Sequence, residues 1–350
     1  MKKPRIIFVG ENDWAQCCHR VAGGLNAYYG ELVARVIVAY PHAYGYPQDV
    51  CVQDDGFFPA LELMRKHFEL DAPGEERRPC WLFSTGDGSQ TGDKSFTSWF
   101  LSHCHHQGVQ YGTFHIGSAY RDNAAEFDKL DGAMATDMRF ISADSMRLVN
   151  STLAIRSYPY HYVNVVEERP LLTVNERPVV VHSPSNPGMK GTSEIEGVIE
   201  SLRNEGLDFE FRLITGVSHK ECVKLRRGGD IFIGQLNTDV GGHGYSCVEA
   251  AAQGMVPIAS LNHTDPAHWT RVGLPVPPVI GANNADELKV IVRDLVTDLV
   301  KLQAARAEAA DWAHSGAASL KEAGKYYAQL IERHTVRRFH HAQDQNQTPA

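Results

Sequence analysis

Short apolar runs alternate along the chain with longer stretches whose apolar residues recur at helical spacing. Runs rich in β-branched and aromatic residues between polar turns read as strands, and the amphipathic stretches read as helices. In the first half the strands fall at Arg5–Val9, Leu32–Ala39, Trp81–Ser84, Gln110–His115, Ala133–Thr136 and Arg139–Ser142. Helices fall between them at Trp14–Tyr29, Pro59–Phe68 and Ser95–Gln107, and from an Asp144 cap to Ser151. A composition break follows over Tyr158–Pro178, where Pro159, Pro170 and Pro178 flank Glu167-Glu168-Arg169, as in an interdomain linker. The alternation then restarts, with strands at Val179–His182, Phe209–Ile214, Asp230–Gly234 and Val256–Ser260. The helices of this half are Ser193–Asn204, His219–Arg227, Tyr245–Gln253, one long helix Ala285–Ala310, and a last stretch Ser315–Arg338. Strand-helix alternation predicts an α/β fold built on parallel sheets.

Length and composition sharpen this picture. With 350 residues the chain suits two domains, each with its own core. The expected division is 1–165 and 166–317. A helix over about 318–340 should pack back on the first domain, with a flexible tail at 341–350. No apolar run reaches the ~20 residues that span a bilayer, so no membrane insertion is expected. The N-terminal run Ile6–Val9 is interrupted by Glu11-Asn12-Asp13, which fits a buried strand and not a signal peptide. Seven cysteines without a C-x-x-C pair suit a reducing cytoplasm. The net charge of -8 does not help a nucleic-acid binder. The dense basic cluster, Arg333 to His341, reads first as a solvated helix end.

Two segments carry candidate chemistry. Ser183 to Thr192 is a loop of small residues between a strand and a helix, and it contains Lys190. Such a loop turns backbone N–H groups toward an anion, and a lysine adds a point charge. In the second segment, the glycine-rich turn Gly241-Gly242-His243-Gly244 opens a helix that carries Glu249 about one turn in. There a carboxylate can accept hydrogen bonds from two ribose hydroxyls. Either segment alone fits an ordinary capped helix start. Cys104-His105-His106 suggests no metal site, because neighbours on a helix point apart. Asp144 reads as a cap, and Ser84–Ser89 as a plain loop.

Taken together, the segments resemble the GT-B glycosyltransferases, specifically the glycosyltransferase 4/group 1 family. The resemblance rests on His182, Pro184, Ser185, Asn186, Lys190, Gly191 and Thr192, then on Gly244, Tyr245, Glu249, Ala250, Ala252, Gly254, Val256, Pro257 and Ile258. Leu213-Ile214-Thr215-Gly216, Asp230 to Leu236, His115 to Arg121 and Ser142 to Met146 match further segments. About 80 residues match well and the rest only in outline.

The resemblance implies two facing Rossmann-like domains with a nucleoside-diphosphate sugar, UDP-sugar foremost, in the cleft between them. It implies a metal-independent, retaining transfer and no cofactor. Lys190 would bind the diphosphate, Glu249 the ribose, and Gly244, Tyr245, Ser246 and Cys247 the phosphates. Thr215 and Gly216 would meet the nucleobase. Gly10 and Asn12 would face the donor, as would Ser185 and Asn186. His115 and Arg121 would stand beside the reacting sugar. Relatives carry a second glutamate where this chain has Gly241, and Asp239 is its nearest substitute. The acceptor is left open among a small molecule, a glycan or protein, and the hydroxymethylated bases that phage-type enzymes modify in a host cytoplasm. A sugar-phosphate enzyme of similar fold and a silent nucleotide-sugar-binding module are the other readings.

Overall fold

The computed structural model describes residues 2–73, 77–85, 103–104, 107–115, 117–160, 164, 166, 168–173, 175–236, 242–262, 264, 266–271, 275–315 and 318–345. The first half is built on strands β1 (Arg5–Gly10), β2 (Ala34–Val38), β3 (Val50–Cys51), β4 (Cys80–Thr85), β5 (Gln110–His115), β6 (Met138–Ser142) and β7 (Arg156–Tyr160). They form one sheet in the order β3-β2-β1-β4-β5-β6-β7, with every pair parallel. The helices of this half are α1 (Cys17–Tyr29), α2 (Val52–Asp55), α3 (Phe57–His67) and α4 (Gly117–Ala133). β1 shows why the sheet is covered on both faces. Ile6 and Phe8 pack into one cluster with Trp81, Phe83 and α1, while Ile7 and Val9 pack into another with Ala60, Met64 and Phe68. Strand side chains alternate between faces, so a continuous apolar run demands a layer on each side.

The second half carries β8 (Val179–His182), β9 (Glu210–Leu213), β10 (Ile231–Gln235), β11 (Val256–Ala259) and β12 (Ile280–Gly281). They form a parallel sheet in the order β12-β11-β10-β8-β9. Its helices are α5 (Pro187–Lys190), α6 (Thr192–Asn204), α7 (His219–Arg226), α8 (Gly244–Ala252), α9 (Pro266–Arg271), α10 (Ala285–Thr297) and α11 (Leu299–Ser315). The last helix, α12 (Leu320–Gln345), returns to the first half and lies against α1. The two helices touch at glycines: a Cβ on Gly324 would stand 1.9 Å from the Gly24 carbonyl oxygen. Tyr29 at the end of α1 also donates to Glu332, and Trp81 of β4 donates to Thr335.

Each sheet reverses its strand order at one place, between β1 and β4 in the first and between β8 and β10 in the second. Crevices open at the carboxyl ends of strands at such switch points, and ligands of open α/β sheets bind there. Among the described residues no helix is long and apolar enough to cross a membrane.

Several local expectations are corrected. Ala133–Thr136 is not a strand: α4 runs to Ala133, and Ala135 then turns with φ 51°. The linker does not begin at Tyr158, because Arg156–Tyr160 is the seventh strand, and an edge position tolerates Pro159. The single helix Ala285–Ala310 is two, broken at Asp298, whose carboxylate accepts from the Lys301 N–H. The segment after β6 is one 3₁₀ turn, Ala143–Leu148, in place of a helix to Ser151. Instead of a flexible tail from 341, α12 continues as far as Gln345. Most of the Ser95–Gln107 helix, most of the Ser84–Ser89 loop, His105, His106, Asp239, Gly241 and residues 346–350 lie outside the described residues.

Candidate active site

The switch point of the second sheet is shaped by the loop after β8. His182 is fully buried; its Nδ1 donates to the Ile233 carbonyl, and its Nε2 accepts from the Thr192 hydroxyl. Both ring nitrogens are satisfied by the neutral tautomer, and burial lowers the pKa to about 4. These two motif residues thus tie β8 to β10 and to the start of α6. Asn186 caps the one-turn helix α5 by accepting from the Met189 N–H. Gly191, with φ 68°, then breaks the chain direction between α5 and α6. The Leu236 N–H donates to the Lys190 carbonyl, pinning Lys190 beside the end of β10. Ser185 is exposed, as are Thr215 and Gly216 beyond β9.

Lys190 carries the plainest electrostatic signal. Burial pushes its ammonium down, the Cys247 thiol opposes that, and the Arg121 guanidinium adds to it. Lys190 belongs to the second half and Arg121 to α4 of the first, so the charge of one half reaches the other. Arg121 also lies 3.4 Å from the exposed carboxylate of Asp122. The first turn of α8 adjoins them. Its N-cap, His243, makes no side-chain capping bond, and Gly244 and Ser246 are partly exposed there. Tyr245 and Cys247 are buried, and burial raises the Cys247 thiol to about 12. Two cations beside a helix N-terminus form a place for an anion.

Glu249 is placed differently from the expectation. It is 4 % exposed, and its carboxylate already holds three donors. Oε2 accepts from Arg226 at 2.5 Å, and Oε1 accepts from Arg20 at 2.5 Å and from His219 at 2.9 Å. Burial alone would raise its pKa, but Arg226, Arg20 and His219 hold it well below the usual carboxylate range. Arg226 and His219 come from α7 of the same half, whereas Arg20 comes from α1 of the other. The contact between the halves continues around this group. Gln16 donates to His219 at 3.0 Å, the Tyr46 ring meets the His219 ring edge-on at 5.3 Å, and Tyr44 donates to the Ser185 carbonyl at 2.9 Å. Arg20 also lies over the Tyr245 ring, 4.3 Å from its centroid.

On the first-half side, Gly10 ends β1 against Thr85, whose hydroxyl oxygen stands 1.8 Å from where a Cβ would be. Only glycine fits there. Asn12 follows, with a buried carboxamide oxygen that meets no hydrogen-bond partner among the described residues. Asp13 occupies the N-terminus of α1 by accepting from the Cys18 and His19 N–H groups. Burial raises Asp13 to about 6 against those two hydrogen bonds and Arg20. His115 is 2 % exposed and sits in a buried network: Nε2 donates to Asp131 at 2.7 Å, and Asp131 and Asp128 both pair with Arg139. The His115 ring stacks on Tyr120 and meets Phe127 edge-on, and its Nδ1 meets no hydrogen-bond partner among the described residues. Among the described residues no three His, Cys, Asp or Glu side chains converge as ligands of one metal ion.

The structure therefore brings Lys190, Arg121, Gly244, Tyr245, Ser246 and Cys247 together, and it sets His115 inside the first half. Arg20, Arg226, His219 and Tyr46 escape motif reading. A signal for Arg20 was present, since it is a charge inside the otherwise weakly polar run Cys17 to Leu25.

No protein-family model matches the chain, and no curated protein matches it in sequence. Solved structures do match it. A glycosyltransferase from Rickettsia africae superposes with a TM-score of 0.59 at 9 % identity, over 95 % of this chain and 99 % of that one. An α-glucosyltransferase in complex with UDP-glucose and DNA containing an abasic site also gives 0.59, at 11 % identity, over 94 % of this chain and 99 % of that one. The chain has the GT-B fold. S. aureus TarM, in a complex that includes UDP, gives 0.50 at 12 % identity over 73 % of this chain, which spans only 54 % of TarM's length. At such identities the likeness is one of fold, and function must be argued from the site.

Proposed function

We propose that the protein is a glycosyltransferase that moves a sugar from a nucleoside-diphosphate sugar, with UDP-sugar foremost, to an acceptor hydroxyl. The observation that carries this reading is Lys190, a cation pinned beside the end of β10, its pKa lowered by burial, which feels the Cys247 thiol in the first turn of α8 and the Arg121 guanidinium of the other half. A cation held in a buried place, with a second cation acting on it, is stabilised by an anionic group bound there. The reaction breaks the bond between the anomeric carbon and the phosphate oxygen, and the bonding electrons leave on that oxygen. Lys190, Arg121 and the α8 N–H groups offset the charge as it develops, without a metal, by fixed electrostatics. The acceptor hydroxyl attacks the same face that the phosphate leaves, and its proton passes to the departing phosphate oxygen. Configuration is then retained.

A thermal-shift screen over UDP, TDP, GDP and ADP tests the donor, because a ligand that binds only the folded state raises Tm. Incubation with the matching nucleotide sugar and mass spectrometry of the products then tests transfer. No Tm shift with any of the four would overturn the reading. Binding without release of the diphosphate would favour a silent module.

A DNA acceptor is the second reading. It is favoured by the α-glucosyltransferase, whose structure contains DNA and matches this chain over nearly its full length. The net charge of -8 weighs against it. Transfer of label to duplexes containing hydroxymethylated cytosine, compared with unmodified duplexes and simple glycosides, separates the two acceptors.

A further inference from the structure

The ribose that the proposed donor carries meets a carboxylate that is only 4 % exposed and already holds three donors. Glu249 accepts from Arg226 on Oε2 and from both Arg20 and His219 on Oε1. Tyr46 and Gln16 reach the same spot from the first half, through the His219 ring. Arg226 and His219 belong to the same half as Glu249 and stay with it in any movement of the halves. Arg20 does not: it arrives on α1, from 229 residues away in sequence. It is also the member that can leave without stranding the carboxylate, since Arg226 and His219 would remain.

We propose that Arg20 is a regulatory latch on the donor site, and that its ion pair with Glu249 and the binding of a donor nucleoside are mutually exclusive. The proposal rests on the nucleotide-sugar reading above and adds a control to the same site. With Arg20 in place the two halves are joined and Glu249 is closed to a ribose. When Arg20 withdraws with its half, α1 no longer covers the carboxylate, and Oε1, freed of one of its two donors, can accept a ribose hydroxyl. The free protein then binds nucleotide only through the fraction in which the pair is open. An open fraction of about one tenth weakens apparent affinity about tenfold.

The test measures UDP, TDP, GDP and ADP binding by calorimetry to the wild type and to Arg20→Met. Methionine keeps apolar bulk over Tyr245 while removing the charge. The expected result is that Arg20→Met binds the preferred nucleotide about tenfold or more tightly than the wild type does. Equal or weaker binding by the variant overturns the latch and leaves the donor reading standing. Absence of binding to both proteins overturns the donor reading, and the latch with it. A measurement on the wild type covers a variant that fails to fold. Nitrogen-15 spectra of the arginine side chains should show one buried guanidinium signal released as UDP is added. Spectra in which every buried guanidinium stays protected at saturating UDP would also overturn the proposal.

Discussion

Replacing Glu249 by alanine removes the carboxylate that pairs with two buried guanidinium groups. Arg20 is 3 % exposed and Arg226 is 1 % exposed, so neither can turn to water without moving its helix. Both are paired to Glu249 at 2.5 Å. Breaking a buried ion pair from one side costs about 3–5 kcal/mol, because the partner charge stays buried and uncompensated. Here two partners are stranded together, and the whole stability of a domain is only about 5–15 kcal/mol. Glu249→Ala should therefore lower Tm by about 6–20 °C, at 2–4 °C per kcal/mol for chains of this kind. The assay is paired thermal and urea unfolding of the wild type, Glu249→Ala and Glu249→Ala/Arg20→Met. The double variant should recover part of the loss, since one stranded charge is gone. A single variant within about 1 kcal/mol of wild type would refute the reasoning, because ordinary surface substitutions stay within that range. So would a double variant no more stable than the single one. Loss of activity in Glu249→Ala thus says nothing about ribose unless folding is checked first.

Lys190→Ala should leave Tm nearly unchanged and lower kcat by about 10²–10³, the usual effect of losing one group that stabilises developing charge; steady-state kinetics beside a melting curve check both halves of this statement. Gly324→Ala places a Cβ 1.9 Å from the Gly24 carbonyl oxygen, a backbone atom that cannot rotate away. It should destabilise the α1–α12 contact by at least about 1–3 kcal/mol, read by urea unfolding. Acid should weaken the fold below neutrality. Burial lowers His67 and His182 to about 4 from 6.5, so the unfolded chain takes up two protons that the folded one refuses, and stability falls as pH drops from 6.5 toward 4. Asp13, raised by burial from 3.8 to about 6, opposes this, because the folded state takes up its proton first and gains stability between 6 and 3.8. At pH 5 the two histidines together cost about 4 kcal/mol and Asp13 returns about 1 to 2, a net loss of about 2 kcal/mol relative to pH 7. Urea midpoints at pH 7, 6 and 5 test the sign.

How much of this was legible in the chain itself differs from element to element. The pattern of residues located β1, β8 and β10 to within a residue or two, because a strand covered on both faces must be a nearly continuous apolar run. It also located the starts of α6 and α8, because a helix start has a local signature of small residues, though the one-turn helix α5 within Ser183–Thr192 went unread. The helix Gly117–Ala133 went unread, since its weakly amphipathic residues give no clear period, and Ala133 to Thr136 then passed for a strand. The break at Asp298 was hidden because apolar residues keep a helical period on both sides of it.

What the sequence determined by itself was therefore the class of fold and the place of Lys190 and Glu249 on it. Both follow from short-range rules: periodicity, capping, and the need for glycine where the backbone turns. Only the tertiary structure decided the company these residues keep. Lys190 feels the charge of Arg121 from the other half, and Glu249 is held by an arginine 229 residues away. A motif reports the backbone geometry of its own few residues. The state of a carboxylate depends on every charge within a few ångströms, and the packing of the two halves is what brings those charges there.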